Sequence, residues 1–360
     1  MKYLFYMGHP AHFHLFRETI NLLWNDGHNV EIVIKNKDVL EDLVKNSKWH
    51  FCNIFPRQRK ENKFSIGLSL LERDYKFFKI VNIYKPALMI GTSAEITHIG
   101  KLLNIPSIVV NEDDAEAVPL FTKLSYPFAS TILAPSGCST GKWQAKTINY
   151  AGYHELAYLH PNHFKQESII SSDKNKKFFI RFAKLTAHHD EGKSGIDNEI
   201  AQKVIDKLTG HGNIFISSER ELTDSLEKYR IQLAPSEVIS FLSSCDLYIG
   251  DSQTMTAEAA VLGIPSIRFN DFVGKLSYLE ELEHKYGLTY GIKTSEPEKL
   301  LEKIDELISY PNIKEEWQKR RAKMLADKID VTAFMVWFIE NYPNSVKVMK
   351  ENPEYQYRFR

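Results

Sequence analysis

The string GDSQTMTAEAAVLGIPSI at residues 250–267 has a near copy, GTSAEITHIGKLLNIPSI, at residues 91–108. Aligned without a gap, residues 90–112 and 249–271 share ten identities in twenty-three positions. The shared residues include an Ile-Gly pair, a Ser in the polar turn after it, and Ile-Pro-Ser-Ile some fourteen positions on. That order reads as strand, turn, helix and strand. The separation is far larger than the period of some tens of residues that marks a stacked repeat. The pair therefore reads as one α/β unit used twice, once in each half of the chain. Chance similarity between two ordinary strand–helix–strand pieces is the alternative.

The rest of the chain fits two such halves. A length of 360 residues corresponds to two domains at roughly 150 residues each. Buried strands are predicted over 2–7, 29–34, 50–55, 87–90, 107–110 and 131–134, and again over 177–182, 213–217, 247–249 and 266–269. Helical patterns lie between them: Phe16, Ile20 and Leu23 share one face, and Gly27 stops that helix. Such alternation implies α/β architecture, two doubly wound parallel sheets of Rossmann-like type. The expected domains are 1–160, 165–328, and a terminal helix in 329–360 packing back on the first domain through Phe334, Trp337 and Phe338. In doubly wound sheets ligands sit outside the C-terminal strand ends, where the strand order reverses. The expected site is a cleft between the two domains.

Bulk properties exclude some classes. With 46 basic and 46 acidic side chains, the net field gives no reason to expect nucleic acid. Cys52, Cys138 and Cys245 form no metal or redox spacing, which fits a reducing cytoplasm. The first apolar run is too short for a signal peptide, and no run of about twenty apolar residues spans a membrane. The stretch 64–84 mixes Phe, Leu, Ile and Tyr with Lys and Arg. It reads as a helix covering a sheet, with peripheral contact at the inner membrane face as the alternative.

The second copy carries the first candidate site. After the strand ending at Ile249, Gly250-Asp251-Ser252-Gln253 is a polar turn and Thr254 opens a helix. Main-chain N–H groups of Thr254, Met255 and Thr256 are expected to point out of the helix start, where the dipole also favours a diphosphate. Glu258, one turn on, is placed to take a ribose. The plain alternative is an N-cap by Ser252 or Thr254, with Glu258 solvated.

This string resembles the nucleotide-binding segment of glycosyltransferases with the GT-B fold and of UDP-N-acetylglucosamine 2-epimerases. The resemblance implies phosphate roles for Ser252, Gln253, Thr254 and Met255 and a ribose role for Glu258; Asp251 and Thr256 are further candidate nucleotide-sugar contacts. Gln-Thr stands where those families have paired small glycines. GHPAHFHLFRETINLLWNDGHNVEIV, PALMIGTSAEITHIGKLLNIPSIVVNEDDA and TKLSYPFASTILAP are similar to segments of the glycosyltransferase that completes lipid II. Over nearly its whole length, to about Ile329, the chain also resembles an uncharacterised prokaryotic family, domain of unknown function 354. That family shares the GHPAH opening, an Arg with AHHD after the first strand of the second half, and the D-S-x-T-M segment. The resemblance implies a GT-B-like fold and use of a nucleotide sugar.

Three further clusters follow predicted strand ends. In GHPAHFH, Gly8 lets the chain turn closely, His9 is a candidate acceptor contact, and His12 is a candidate base for an acceptor hydroxyl. The spacing of His9, His12 and His14 lacks a fourth metal ligand, and a capping or buried role is the alternative, above all for His14. In NEDDAEA, Glu112 and Asp113 are candidate bases, with Asp114 an expected N-cap. Ser93 and Glu95, in the first copy of the repeat, are candidate acceptor contacts. In RFAKLTAHHDEGKSG, Arg181 offers a bidentate cation for phosphate, with His188 and His189 as further donors. The alternative is an ordinary surface loop whose Arg pairs with Asp190 or Glu191. GCSTGKW at 137–143 is not a P-loop, being one residue short and carrying Trp143 where Ser or Thr meets magnesium.

Two functions follow. The first is a metal-independent glycosyltransferase using a UDP-sugar donor and a sugar or lipid-linked acceptor, with no cofactor, in cell-surface polysaccharide or glycan synthesis in the cytoplasm. The second is a sugar-nucleotide 2-epimerase, hydrolysing or non-hydrolysing, in which Glu95, Glu112, Asp113 and Asp114 move a proton at C2. A non-catalytic nucleotide-sugar binder is a third possibility.

Overall fold

The structure is a computed structural model describing residues 1–37, 39–55, 63–165, 175–182 and 195–360. It divides into two compact units: Met1–His163 with Lys328–Arg360, and Phe164–Asp327.

The first unit alternates strand and helix. It runs β1 Lys2–Met7, α1 Pro10–Asn25, β2 Asn29–Lys35, α2 Leu40–Asn46, β3 Cys52–Phe55, α3 Lys63–Tyr84 and β4 Leu88–Gly91. It continues with α4 Ala94–Leu103, β5 Ser107–Val110, α5 Pro119–Ser125, β6 Thr131–Pro135, β7 Thr147–Tyr150 and α6 Leu156–Leu159. All seven strands are parallel, in the order β3-β2-β1-β4-β5-β6-β7. Both faces are covered, so strand residues are apolar at nearly every position. Leu4 and Tyr6 join Phe77 and Val81 of α3 and Ile96 and Ile99 of α4 on one face. On the other, Phe5 meets Phe16 of α1 edge-on at 5.4 Å. Sheet order reverses between β1 and β4.

The second unit repeats the plan with five parallel strands. Its elements are β8 Lys177–Phe182, α7 Asn198–Leu208, β9 Asn213–Ser218, α8 Asp224–Glu227, α9 Val238–Ser243, β10 Leu247–Gly250 and α10 Gln253–Leu262. Then come β11 Ser266–Phe269, α11 Ser277–Glu280, β12 Thr289–Ile292, α12 Pro297–Ser309 and α13 Ile313–Asp327. The order β12-β11-β10-β8-β9 reverses between β8 and β10. The chain then returns to the first unit as α14 Val331–Glu340 and α15 Asn344–Glu351. Val331, Phe334, Met335 and Phe338 of α14 are buried, and Thr332 Oγ1 donates to the Ala157 carbonyl at 2.7 Å.

The two copies of the sequence repeat are β4-α4-β5 and β10-α10-β11, and the identities have matching roles. Pro106 and Pro265 carbonyls accept from Met89 and Tyr248 N–H at 3.1 and 2.9 Å. Each helix ends on a left-handed residue, Asn104 at φ 55° and Gly263 at φ 72°. Gly91 pairs with Tyr6 of β1, and Gly250 with Arg181 of β8. A Cβ at Gly91 would lie 2.5 Å from the Tyr6 carbonyl oxygen, and one at Gly250 2.3 Å from the Tyr248 hydroxyl. Both glycines allow the close strand approach at the reversal point. The strands missing from the sequence reading, β7 and β12, are edge strands of four residues each.

Candidate functional site

In the second unit, β10 delivers the polar turn to the strand-order reversal. Ser252 is the N-cap of α10, and its hydroxyl accepts from Met255 N–H at 3.4 Å. Its carbonyl takes both the N–H and the hydroxyl of Thr256, at 3.2 and 2.7 Å. Met255 and Thr256 N–H groups, expected to be open, therefore close the first turn. Gln253 and Thr254 are the first-turn residues whose N–H groups have no intrahelical acceptor. Ser252, Gln253 and Thr254 are half-buried, whereas Asp251, Met255, Thr256 and Glu258 are buried. Glu258 is thus not the solvated side chain of the plain alternative. Asp251 lies against Gly195, where a Cβ would be 2.5 Å from its Oδ2. Its carbonyl accepts from Asn270 Nδ2 at 2.9 Å.

Arg181, at the end of β8, donates to Ser217 Oγ and pairs with Glu219. Its guanidinium faces β9, and a phosphate reaching it competes with Glu219. Beneath the turn, Tyr248 is buried within electrostatic reach of Asp251, Arg181 and Glu258, and burial pushes its phenol well above the ordinary value. His188 and His189 lie outside the described residues, as do Asp190 and Glu191.

In the first unit the equivalent turn is arranged differently. Ser93 is the N-cap of α4 but makes no capping bond, and its buried hydroxyl has no partner among the described residues. Glu95 is buried and accepts from Arg73 Nε at 2.5 Å and from the Tyr6 hydroxyl at 3.3 Å. Arg73 also donates to Ser69 Oγ at 2.8 Å. As an acceptor contact Glu95 starts from a closed ion pair. Asp114 is not a helix N-cap. Its Oδ1 takes Ser139 N–H at 2.7 Å, and α5 begins after Val118.

Three strand ends of this unit converge. Gly8 and His9 follow β1, and His9 caps α1 by accepting Ala11 N–H on Nδ1 at 3.2 Å. Gly8 N–H donates to His12 Nδ1 at 3.1 Å. An imidazole accepting on Nδ1 carries its proton on Nε2 when neutral. Burial, with His9, His154 and Lys37 nearby, holds His12 well below the ordinary histidine range. His12 therefore presents an N–H donor rather than a vacant lone pair.

Glu112 and Asp113 follow β5. Glu112 Oε2 accepts from His154 N–H at 3.2 Å, and its Oε1 stands 3.3 Å from His154 Nδ1. Burial first, and Asp113 second, push the Glu112 carboxyl up to about 8, against the lowering effect of the His154 amide. Burial takes His154 down to about 4 although Glu155 and Asp113 oppose it. Both shifts favour the uncharged forms of the pair. His154 was not foreseen in the sequence because it follows β7, a strand the sequence reading missed. Its only signal is a His soon after an edge strand. Among the described residues no three His, Cys, Asp or Glu side chains group as a metal ligand set.

A family model described as protein of unknown function (DUF354) matches residues 4–331. An uncharacterized protein of Methanocaldococcus jannaschii is 27% identical over 216 residues, which are 54% of this chain and 61% of that protein. The chain thus spans under two thirds of that relative's length. Among solved structures, the UDP-GlcNAc 2-epimerase of Neisseria meningitidis bound to UDP-GlcNAc is similar with a TM-score of 0.66 and 13% identity. That similarity covers 94% of this chain and 99% of that one. MurG of Acinetobacter baumannii is similar with a TM-score of 0.58 and 12% identity, covering 94% and 99%. What these structures share with the chain is the fold, two Rossmann-like domains of GT-B type.

Proposed function

This chain belongs to the family described as protein of unknown function (DUF354), and from that premise we propose that it is a nucleotide-sugar enzyme, a glycosyltransferase first. The observation carrying this reading is the start of α10. It lies at the strand-order reversal of the second unit, where Gln253 and Thr254 keep first-turn N–H groups for an anion. The UDP-GlcNAc bound by a similarly folded 2-epimerase and the UDP bound by the similarly folded MnaA of S. aureus make a UDP-sugar the donor of choice.

In this reading the diphosphate rests on the Gln253 and Thr254 amides, with Ser252 holding the turn and Arg181 exchanging Glu219 for phosphate. Asp251, Met255 and Thr256 shape the turn from below. Glu258, with His188 and His189, completes the nucleotide contacts. The acceptor meets Gly8, His9, Ser93 and Glu95. Its hydroxyl oxygen bonds to the anomeric carbon while the bond from that carbon to the diphosphate oxygen breaks. Glu112, in its ionised form and beside Asp113, takes the hydroxyl proton, and His12 donates from Nε2 to a substrate oxygen. The helix start stabilises the departing diphosphate without a metal, such donors each contributing about 3–4 kcal/mol in the transition state. No second Glu lies seven residues from Glu258 on the nucleotide helix, which favours inversion. The acceptor is a sugar or lipid-linked glycan, and the setting is the cytoplasm, with peripheral contact at the inner membrane face as the alternative.

The second reading is a 2-epimerase, favoured by one observation: a carboxyl held protonated near neutrality beside a neutral His can both give and take a proton at C2. Proton NMR of the full chain with UDP-GlcNAc, chelator and no acceptor separates the two. Inversion at C2, or release of free N-acetylmannosamine, selects the epimerase. A donor that binds yet stays intact until a glycan acceptor is added selects the transferase. Absence of nucleotide binding overturns both.

A further inference from the structure

Both carboxyl oxygens of Glu112 face one residue from another strand end. His154, four residues past β7, gives its main-chain N–H to Oε2 at 3.2 Å and sets its ring Nδ1 3.3 Å from Oε1. From the other side, Cys138 Sγ donates to the Glu112 carbonyl at 2.8 Å, so the backbone under the carboxyl is fixed as well. Only 14% of the Glu112 side chain and 13% of the His154 side chain are exposed. His154 Nε2 and the Tyr150 hydroxyl are buried with no partner among the described residues. Among the described residues nothing is bonded to the far nitrogen of the ring, and its near nitrogen faces the carboxyl.

We propose that His154 is the positioning residue of Glu112, holding its carboxyl proton toward Nδ1 and setting the proton affinity with which Glu112 serves the reaction. This rests on the reading of Glu112 as the proton-transferring group. The groups facing the pair are Asp113 beside Glu112, Tyr150 and Glu155 from the chain around β7, Cys138 from the turn after β6, and His12 from α1. Burial holds the Tyr150 phenol well above its ordinary value, and the charges that bear on the pair are the neighbouring carboxylates Asp113 and Glu155, which favour its protonated forms. When Glu112 accepts a substrate proton, the O–H so formed points to Nδ1 and His154 keeps its own proton on Nε2. When Glu112 releases that proton, His154 stays neutral with its proton on Nε2, and its main-chain N–H keeps the carboxylate in place through Oε2.

The test is infrared difference titration of the full chain between pH 5 and 9, reading the carbonyl band of a protonated carboxyl that Glu112→Gln removes. In the unchanged protein the band is lost with a midpoint near 8. In His154→Ala the midpoint falls by about one pH unit or more, because the acceptor of the carboxyl proton is gone and water enters. His154→Asn, which keeps a polar atom near the Nδ1 position, recovers part of that fall and serves if the Ala variant does not fold. A midpoint unmoved or raised in both variants overturns the proposal, as does a protein with no Glu112-dependent band at pH 6. The pH–rate limb for UDP-GlcNAc turnover is followed in parallel. A band midpoint that moves while the limb stays put keeps the Glu112–His154 pairing and overturns the catalytic reading of Glu112.

Discussion

Gln253 is the first residue of α10, and its N–H is one that no helical carbonyl can reach. Proline is tolerated at that position and removes the N–H alone, and Ser252 at φ −82° and ψ 125° already has the conformation that precedes a proline. Gln253→Pro is therefore expected to leave the melting temperature nearly unchanged while weakening UDP binding about 10- to 100-fold, the size of one hydrogen bond to a charged group. Calorimetric titration beside Gln253→Ala checks it, and equal affinity in both variants removes the diphosphate from this helix start. Titration behaviour can be tested without substrate. His14 and His154 are held down at about 4 by burial, so the unfolded chain binds more protons between pH 6.5 and 4 and stability falls on acidification through that window. Glu112, raised to about 8 by burial, works the other way: the folded chain holds the extra proton, and stability falls as pH climbs from 4.5 to 8. Urea denaturation at pH 5, 6.5 and 8 should show Glu112→Gln losing the second slope and keeping the first. These roles were only half legible in the sequence. GHPAH pointed to His12, but the proton on Nε2 follows from where Gly8 N–H points, which spacing cannot give.

Secondary structure was far more readable than side-chain roles, and the repeat shows why. A parallel strand buried on both faces must be a short apolar run, and a helix that returns from it must end on a residue tolerant of positive φ. Asn104 and Gly263 stand at corresponding helix ends for that reason. Asn pays a conformational penalty there that Gly does not, so Asn104→Gly is expected to stabilise the first unit by a few tenths to about 1 kcal/mol. Gly91→Ala should destabilise it by about 1–3 kcal/mol, since the new methyl meets the Tyr6 carbonyl, a backbone atom that cannot swing aside. Chemical denaturation of the two variants gives opposite signs if the repeat's caps and glycines act as described, and a neutral Gly91→Ala refutes the close approach. Edge strands escaped the same reasoning. TINY and TYGI are short, carry polar or glycine positions, and have one neighbour each, so their apolar signal is weaker than that of strands packed on both sides.

At the scale of the whole chain, the family match stops at residue 331, yet the first unit is not complete there. Ile329 N–H donates to the Ala151 carbonyl at 2.9 Å, and Ala151 N–H donates to Gln356 Oε1 at 2.6 Å, so the end of β7 is bonded to both ends of the terminal segment. Asp330 caps α14 through Ala333 N–H and receives Asn162 Nδ2 at 2.9 Å, with His163 at 2.8 Å. The two points where the chain leaves and re-enters this unit are thereby tied to each other inside it. Phe334, Trp337 and Phe359 stack around the same segment. Phe334→Ala is expected to cost about 3–5 kcal/mol, as for other fully buried aromatic side chains, a large share of what holds a domain of this size together. Removing residues 332–360 should do more. It strips the cover from α1 and α6, leaves Ala157 without its bond from Thr332, and exposes the apolar faces that α14 now buries. Because the segment closes the unit that carries Gly8, His12, Glu112 and His154, its loss should abolish turnover and drive aggregation. Soluble yield, light scattering and a urea melt of the truncated chain measure this. A truncated protein that stays monodisperse and unfolds at the same urea concentration would show that the matched region alone makes a finished unit.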